Sequence, residues 1–293
     1  MRWFTLLALI ALTACEPVCR NLDIVPQNGS PVPVSLLYTG SPEQRYNIII
    51  VGDGFQAGEQ KKFNEAACSA VSGLLSTAPY SSWRESFNFW RINFVSEDSG
   101  ISRPGHPKRT ALYTTFGVAG LERFVESQDP DGVEKLIRRY IPRYEAVLVL
   151  ANATEVGGSG TFGHPLFYST LSPNFRNLVA HELGHQLANL ADEYSYLNSP
   201  NDPPQPYPRP ESNDYRNVTA QLYGSPSKWL LQPGVTKPTP VSAPPDTIGV
   251  FEGASYYARG IYRSQRDCKM RTLDAPFCVV CRREISLFLS RLR

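Results

Sequence analysis

Apolar residues cluster in three short runs bounded by polar or glycine-containing segments, and this pattern predicts three buried β-strands. The runs cover residues 46–51, 89–95 and 146–150. The first run stops at Gly52-Asp53-Gly54, and the third precedes a glycine-rich segment over 157–160. Glycine clusters of this kind favour turns and therefore end strands. The first half of the chain is predicted to build a sheet.

Helices are predicted where apolar residues recur at three- and four-residue spacing. The clearest stripe runs over 63–75. A second helix is predicted over 131–141, with Asp131 as its N-cap and Glu134 in the capping-box position. The chain ends in another amphipathic stripe over 285–292. Strands that alternate with helices predict a mixed sheet with helices packed on it.

Composition excludes several classes of protein. Of the 293 residues, 42% are apolar and 19% are charged. These values argue against a multi-span membrane protein, a coiled coil and a chain that is disordered throughout. The net charge is +2, and the basic residues are scattered along the chain. Nucleic acid is therefore not an expected partner, because phosphate binding needs a concentrated basic surface.

The first residues predict export. One arginine precedes a short apolar run over 3–12, and small residues follow it, which is typical of a signal peptide. The run is shorter than the ~20 residues that cross a bilayer. The sequence Leu12-Thr13-Ala14-Cys15 is similar to the lipobox of bacterial lipoproteins, whose cysteine becomes the acylated N-terminus. An ordinary signal peptide with a chance cysteine is the alternative.

The lipobox similarity implies a location. Residues 1–14 are expected to be a lipoprotein signal peptide, and Cys15 a lipid anchor that holds the protein on a membrane. The protein would then face the periplasm or the cell exterior. Glu16 stands where an aspartate is typical of inner-membrane retention, which favours the outer membrane. Residues 15–43, rich in Pro, Gly, Asn and Ser, are predicted to be a tether.

Five cysteines follow the anchor, and export makes disulfides their expected state. They are Cys19, Cys68, Cys268, Cys278 and Cys281, and the odd count leaves at least one unpaired. The last three could in principle form a thiolate zinc site. A disulfide is favoured instead, because no fourth ligand lies near them in the sequence. Their pairing is left open.

The candidate catalytic residues lie in one predicted helix. Ser172 is its predicted N-cap, and Pro173 stands in its first turn. His181 and His185 stand four residues apart, so their imidazoles lie on one face and can share one ion. With Glu182 they form the HExxH signature of zinc hydrolases. Zinc polarises a substrate carbonyl and lowers the pKa of its water, and Glu182 would take that proton and deliver it to the leaving amine. The alternative is a chance match.

A catalytic zinc ion needs a third protein ligand, and Asp192 is the predicted one. In an unbroken helix Asp192 would lie about 10 Å beyond His185 along the axis, too far to share an ion. The backbone must therefore leave the helix near Asn189, which tolerates a left-handed conformation. Glu193 and the more distant His164 are competing candidates. Alternatively, Asp192 and Glu193 could form an acidic helix end that faces solvent.

The segment over 181–194, from His-Glu-Leu-Gly-His to Asp-Glu-Tyr, resembles the igalysins, metzincin peptidases named for a bacterial immunoglobulin A peptidase. The similarity spans roughly 45–290. It also includes the segments 48–55, 157–160, 249–263, 268–271 and 277–281.

This resemblance implies an α+β, metzincin-like catalytic domain over 44–293. A twisted mixed sheet with backing and active-site helices would form an upper subdomain, 44–189. An irregular lower subdomain, 190–293, would end in a C-terminal helix. Met270 would be the Met-turn residue beneath the zinc ion. An edge strand, in the segment that reaches 160–162, would bind a polypeptide substrate in extended conformation.

Three hypotheses on function remain. The first is a zinc metalloendopeptidase that hydrolyses peptide bonds of extracytoplasmic proteins through a metal-bound water and a glutamate general base. The second is a membrane-tethered zinc-containing binding or adhesin module without turnover, which an intact Glu182 disfavours. The third is zinc hydrolysis of a non-peptide amide, for instance in a cell-wall polymer, which the igalysin resemblance disfavours.

Overall fold

The computed structural model describes residues 31–196, 206–208, 210–211, 215–224 and 228–292, together with residues 19, 23 and 25. The predicted signal peptide over 1–14 and the predicted anchor Cys15 lie outside these residues. In chain order the strands and α-helices are β1 (Pro33–Leu37), β2 (Tyr46–Asp53), α1 (Gln60–Ser76), β3 (Phe87–Ile92), β4 (Thr114–Phe116), β5 (Val125–Ser127), α2 (Pro130–Arg138), β6 (Ala146–Ala151), β7 (Gly158–Gly160), β8 (Leu166–Thr170), α3 (Phe175–Ala188), β9 (Val218–Thr219), β10 (Phe251–Ala254), β11 (Tyr257–Arg263) and α4 (Val279–Ser290).

Six strands form the main sheet, in the order β1-β3-β2-β6-β8-β7. The four inner strands are parallel, whereas β1 and β7 lie antiparallel at the two edges. Ile50 of β2 is paired with Arg91 of β3 on one side and with Leu148 of β6 on the other. Parallel strands are covered on both faces, which explains why they appear in the sequence as continuous apolar runs.

Both faces of the sheet are buried, because alternate residues of a strand point to opposite sides. Ile48 and Ile50 face a core to which α1, α3 and α4 contribute. Ile49 and Val51 face a second core, to which α2 contributes. Helix α3 packs against α1, α4, β7 and β8. The helix that carries the candidate catalytic residues is therefore held by contacts on several sides.

The described chain after α3 is mostly irregular. Its regular elements are a small antiparallel sheet, in the order β10-β11-β9, and the C-terminal helix α4. Together with the main sheet they confirm the predicted α+β, metzincin-like architecture. Among the described helices, none combines the length and the apolar character needed to cross a bilayer.

The starts of two helices differ from the prediction. In α2 the N-cap is Asp129, whose carboxylate accepts a hydrogen bond from the Gly132 N–H at 3.0 Å, and not Asp131. In α3 the N-cap position is held by Asn174, and not by Ser172, because the residues after Ser172 first form a turn. Several polar residues precede each helix, and the sequence pattern does not show which of them is the N-cap.

The stretch predicted to be a tether, 15–43, contains part of the fold. Pro33–Leu37 forms β1 and pairs antiparallel with β3. Val34 and Leu36 are buried, so this strand supplies an apolar face to the sheet. The surrounding prolines and glycines conceal that alternation in the sequence. The folded unit therefore begins no later than Pro33.

The cysteines fall into two groups. Cys19 and Cys68 form a disulfide that joins the N-terminal segment to α1. Cys268, Cys278 and Cys281 are unpaired and buried, so the expected disulfide among them is wrong. Two of these sulfurs instead face the buried carboxylate of Glu193, whose Oε1 lies 3.8 Å from Cys278 Sγ and 3.3 Å from Cys281 Sγ.

Replacing both Cys19 and Cys68 by serine should lower the free energy of unfolding by at most about 4 kcal/mol, because the cross-link joins residues 49 positions apart. Denaturant unfolding under non-reducing conditions, monitored by tryptophan fluorescence, measures the change. Equal midpoints and slopes for the wild type and the double variant would contradict a stabilising role for this bond.

Candidate active site

Helix α3 carries the two histidines of the HExxH motif on one face, one turn apart. Their ring centroids are 4.7 Å apart, and the two Nε2 atoms approach to 3.0 Å. Glu182 lies beside them, with one carboxylate oxygen in a group of candidate ligand atoms that all lie within 4.8 Å of one another. The side chains of His181 and Glu182 are buried. The helix therefore brings together three side chains that can bind a metal ion or transfer a proton.

The chain reverses direction directly after α3. Asn189 adopts the left-handed conformation, with φ 49° and ψ 48°, and its N–H donates back to the carbonyls of Gly184 and His185. The predicted helix end at this residue is confirmed. The reversal brings Asp192 back to the helix, where its Oδ1 lies 3.1 Å from His181 Nε2 and 3.3 Å from His185 Nε2.

A buried asparagine holds the returning segment in place. Asn217 accepts a hydrogen bond from the Ala191 N–H at 2.7 Å and donates to the Ala191 carbonyl at 2.8 Å. The same amide donates to Glu193 Oε1 at 2.9 Å. One side chain thus satisfies both backbone groups of Ala191 and fixes the residues on either side of Asp192.

Backbone carbonyls orient both imidazoles. His181 Nδ1 lies 3.1 Å from the Lys269 carbonyl oxygen, and His185 Nδ1 lies 2.6 Å from that of Leu190. A carbonyl can only accept, so each Nδ1 carries the proton when the ring is neutral. Each Nε2 then presents a lone pair towards Asp192. This is the arrangement in which histidine binds a metal ion.

Asp192 is fixed through its other oxygen and its backbone. The Tyr256 hydroxyl donates to Asp192 Oδ2 at 2.6 Å, and the Ser255 N–H donates to the Asp192 carbonyl at 2.8 Å. Oδ1 is buried and has no well-formed hydrogen bond among the described residues. A buried carboxylate oxygen without such a bond is costly, and a cation between Oδ1 and the imidazoles would compensate for it.

The spacing of these three atoms fits one small divalent ion. The distances between His181 Nε2, His185 Nε2 and Asp192 Oδ1 are 3.0, 3.1 and 3.3 Å. Tetrahedral zinc with ligands at about 2.0–2.1 Å places neighbouring donor atoms about 3.3–3.4 Å apart. The residues therefore fit a three-ligand metal site of nitrogen and oxygen donors.

Burial and close charges shift the pKa values of these groups strongly. Burial raises the pKa of Glu182, and the charge of Asp192 adds to the effect against the two histidines. Burial disfavours the charged form of His185, but Asp192 outweighs it and raises that pKa to about 9. Burial also opposes the charge of Asp192, yet the histidines hold its pKa well below the usual range. The cluster is organised around an ionised Asp192.

Met270 packs against α3 at Gly184, the residue before His185 in the sequence. Its side chain is fully buried, and a Cβ added to Gly184 would lie 3.1 Å from Met270 Sδ. Glycine at position 184 therefore lets the methionine approach the helix closely. The Met270 carbonyl accepts from the Glu193 N–H at 2.7 Å. The segment that holds Met270 thus contacts both the helix and the returning chain.

The edge strand β7 passes directly over Glu182. A Cβ added to Gly158 would lie 2.7 Å from Glu182 Oε1, and one added to Gly160 would lie 2.5 Å from the Glu182 carbonyl oxygen. The Glu182 side chain could move away from Gly158, but a Cβ there would also lie 2.8 Å from the Tyr168 carbonyl oxygen, and backbone atoms at both positions cannot move aside. The two glycines are therefore required for the approach of the sheet edge to the catalytic helix.

The remaining candidates lie elsewhere. Glu193 points away from the histidines and is hydrogen-bonded to Asn217. His164 is exposed, in the connection between β7 and β8. Sequence reasoning missed Asn217 and Tyr256, because their partners lie 26 and 64 residues away along the chain. Both lie in irregular chain or turns that the apolar pattern does not predict.

A helix that presents two histidines and a glutamate below the edge of a mixed sheet, with a returning aspartate and a methionine beneath, is the arrangement of a metallopeptidase. A model of the family described as IgA Peptidase M64 matches residues 34–244 and 241–289, which is most of the chain. The chain belongs to this peptidase family, and the igalysin resemblance is confirmed. No curated protein matches the sequence.

Replacing Gly160 by alanine should separate β7 from α3, because its Cβ would meet the Glu182 backbone. We expect a loss of about 1–3 kcal/mol in the free energy of unfolding, as for other overpacked positions. Gly58→Ala is the matched control, since a Cβ there meets nothing within 4 Å. Equal unfolding midpoints for the two variants would contradict the close packing.

Proposed function

We propose that the protein is a zinc-dependent endopeptidase that hydrolyses extracytoplasmic polypeptides. His181, His185 and Asp192 hold the ion, and Glu182 is the general base. The observation that carries the proposal is the convergence of two Nε2 atoms and one carboxylate oxygen within 3.3 Å of one another, beside the buried carboxylate of Glu182. Membership of a peptidase family gives the reaction class.

Zinc is the ion that this donor set favours. Two imidazoles and one carboxylate are a common protein set for catalytic zinc, which keeps a fourth position for a reactant. A zinc ion bound here supplies Lewis-acid polarisation of the scissile carbonyl and acidifies a water molecule. The protein prepares the site by fixing the tautomers of His181 and His185 through the Lys269 and Leu190 carbonyls.

Glu182 is suited to carrying the proton. Its pKa is raised, chiefly by burial, which brings it closer to the range in which a carboxylate accepts and returns a proton at neutral pH. In the reaction it takes a proton from the attacking water and gives it to the amine of the leaving peptide. A binding module that used zinc only for structure would have no role for such a buried acid, which disfavours that alternative.

The polypeptide substrate is proposed to bind along β7. The Gly158 N–H points away from β8 and donates to the Arg123 carbonyl at 3.1 Å. Backbone groups alternate along a strand, so those of Gly160 also face outward, beyond the end of that contact. An extended peptide that pairs with this end of the edge would lie beside Glu182.

Glu182→Gln should reduce peptide cleavage by about 10²–10⁴-fold or more, because the amide cannot accept the proton. Zinc content should not change, since Glu182 is not a ligand. Digestion of a peptide library, with and without a chelator, and metal analysis of the same samples measure both. Glu134→Gln on α2, where the carboxylate pairs with Arg138 and takes no part in the candidate site, is the matched control and should cleave like the wild type. Full activity of Glu182→Gln would refute the proposed mechanism.

The location of the enzyme is a further part of the proposal. We infer from Leu12-Thr13-Ala14-Cys15 that the chain is anchored to a membrane through lipid on Cys15, with the outer membrane favoured. Replacing Cys15 by serine should move the protein from the membrane fraction to the soluble fraction after cell lysis. Unchanged membrane association would contradict the anchor, and it would leave the proposed chemistry unaffected.

A further inference from the structure

A second cluster of metal-binding groups lies below the candidate active site and takes no part in the proposed reaction. It consists of Cys268, Cys278, Cys281 and Glu193, which we call the cysteine cluster. Each residue offers one sulfur or carboxylate oxygen, and these four atoms all lie within 4.8 Å of one another. All four side chains are buried. In the sequence, Glu193 lies 75 positions before Cys268.

The distances within the cluster match those of a tetrahedral metal site. Cys268 Sγ lies 3.7 Å from Cys281 Sγ. Glu193 Oε1 lies 3.8 Å from Cys278 Sγ and 3.3 Å from Cys281 Sγ. Zinc with sulfur ligands at about 2.3 Å and oxygen at about 2.0–2.2 Å gives sulfur–sulfur separations of about 3.8 Å and sulfur–oxygen separations of about 3.5–3.6 Å.

Backbone N–H groups point at the sulfurs, as they do where thiolates bind a metal. The Cys278 N–H donates to Cys268 Sγ at 3.2 Å, and the Cys281 N–H donates to Cys278 Sγ at 3.4 Å. Cys278 is the N-cap of α4, so the partial positive charge of that helix end also faces the cluster. The Ser264 hydroxyl lies 3.5 Å from Cys278 Sγ. These contacts stabilise negative charge on sulfur.

Glu193 is the least expected member of the group. Its exposed fraction is 0%, and Oε2 has no hydrogen-bond partner among the described residues. Asn217 donates to Oε1 at 2.9 Å, and the charge of the buried Arg263 also acts on the carboxylate. A buried carboxylate that keeps one oxygen without a hydrogen bond is still costly, and a cation bound to it would offset that cost.

We propose that the cysteine cluster binds a second zinc ion, in a closed structural site with three sulfur ligands and one carboxylate. Four protein donors leave no position for a substrate, which distinguishes this site from the three-donor site on α3. The spacing Cys-Val-Val-Cys over 278–281 is that of many structural zinc sites. The fourth ligand, Glu193, reaches the cysteines from the chain that returns after α3.

A zinc ion at this position would join three segments that build the active site. Cys268 lies two residues before Met270, and the Glu193 N–H donates to the Met270 carbonyl at 2.7 Å. Glu193 directly follows Asp192. Cys278 and Cys281 belong to the start of α4, which packs against α3. The ion would therefore fix the floor of the active site and the position of its aspartate.

A disulfide explains the cluster less well. Three cysteines cannot all pair within one chain, and a disulfide between any two would leave the third thiol unpaired beside the buried Glu193. The Cys268 and Cys281 sulfurs are 3.7 Å apart, well beyond the ~2.05 Å of a disulfide. The Cys19–Cys68 bond shows that the same chain forms a disulfide where two sulfurs meet.

Metal content and zinc X-ray absorption of the purified full-length protein test the proposal. The wild type should bind about two zinc ions per chain, one in each site. A His181→Ala/His185→Ala double variant should keep about one, with sulfur scatterers at about 2.3 Å. Cys278→Ser/Cys281→Ser should lose that sulfur signal. Cobalt bound to the double-histidine variant should show sulfur-to-metal charge-transfer absorption.

The proposal would be overturned if the His181→Ala/His185→Ala variant contained no zinc, or if its zinc had only nitrogen and oxygen neighbours. Alkylation of the denatured wild type in chelator without reductant gives an independent readout that does not require a variant to fold. Modification of Cys268, Cys278 and Cys281, together with the second zinc ion in metal analysis, supports the zinc site, whereas protection of any two as a disulfide overturns it. Neither readout depends on cleavage, so failure of the proposed peptidase activity would be separately recognisable.

Discussion

The reversal of the chain at Asn189 is the constraint on which the site depends. A continuing helix would carry Asp192 about 10 Å away from His185 along its axis. One left-handed residue brings it back to within 3.3 Å of both imidazoles instead. The left-handed conformation costs most L-residues about 1–2 kcal/mol, and asparagine adopts it more readily. Asn217 then holds the returning segment through both backbone groups of Ala191.

The same segment serves two clusters because it leaves the helix in an irregular, non-helical conformation. Asp192 contacts the imidazoles, while the next side chain, Glu193, contacts the cysteines. Two buried acids therefore lie next to each other in sequence but face different groups. Each needs local compensation, since charges that share a low-dielectric interior without partners would repel and destabilise the fold.

Local patterns predicted the parts of the fold that depend on neighbouring residues. Three of the inner strands (β2, β3 and β6), α1, α4 and the end of α3 follow from apolar runs, periodicity and the conformational tolerance of Asn189, whereas the inner strand β8 was not predicted. The helix starts at Asp129 and Asn174 were not predicted, because several polar residues compete for each N-cap position. The strand β1 was not predicted either, because prolines and glycines around it conceal its short apolar alternation.

The candidate site was predictable to a similar extent. The HExxH spacing places His181, Glu182 and His185 on one helix face, and the need for a third ligand points to Asp192. The supporting groups Tyr256 and Asn217 meet the site only through the folded chain. For the same reason the sequence could not show that Glu193 joins three distant cysteines.

The composition of β7 has a consequence for selectivity. Its three residues are Gly158, Ser159 and Gly160, and the serine hydroxyl is turned to the Val125 carbonyl at 2.7 Å. Such a strand offers an incoming chain amide and carbonyl groups but almost no side-chain surface. Backbone pairing senses whether a segment is extended and is blind to which residues it contains. With the proposed pairing on β7, discrimination between one cleavage position and another would have to arise from surfaces outside this strand.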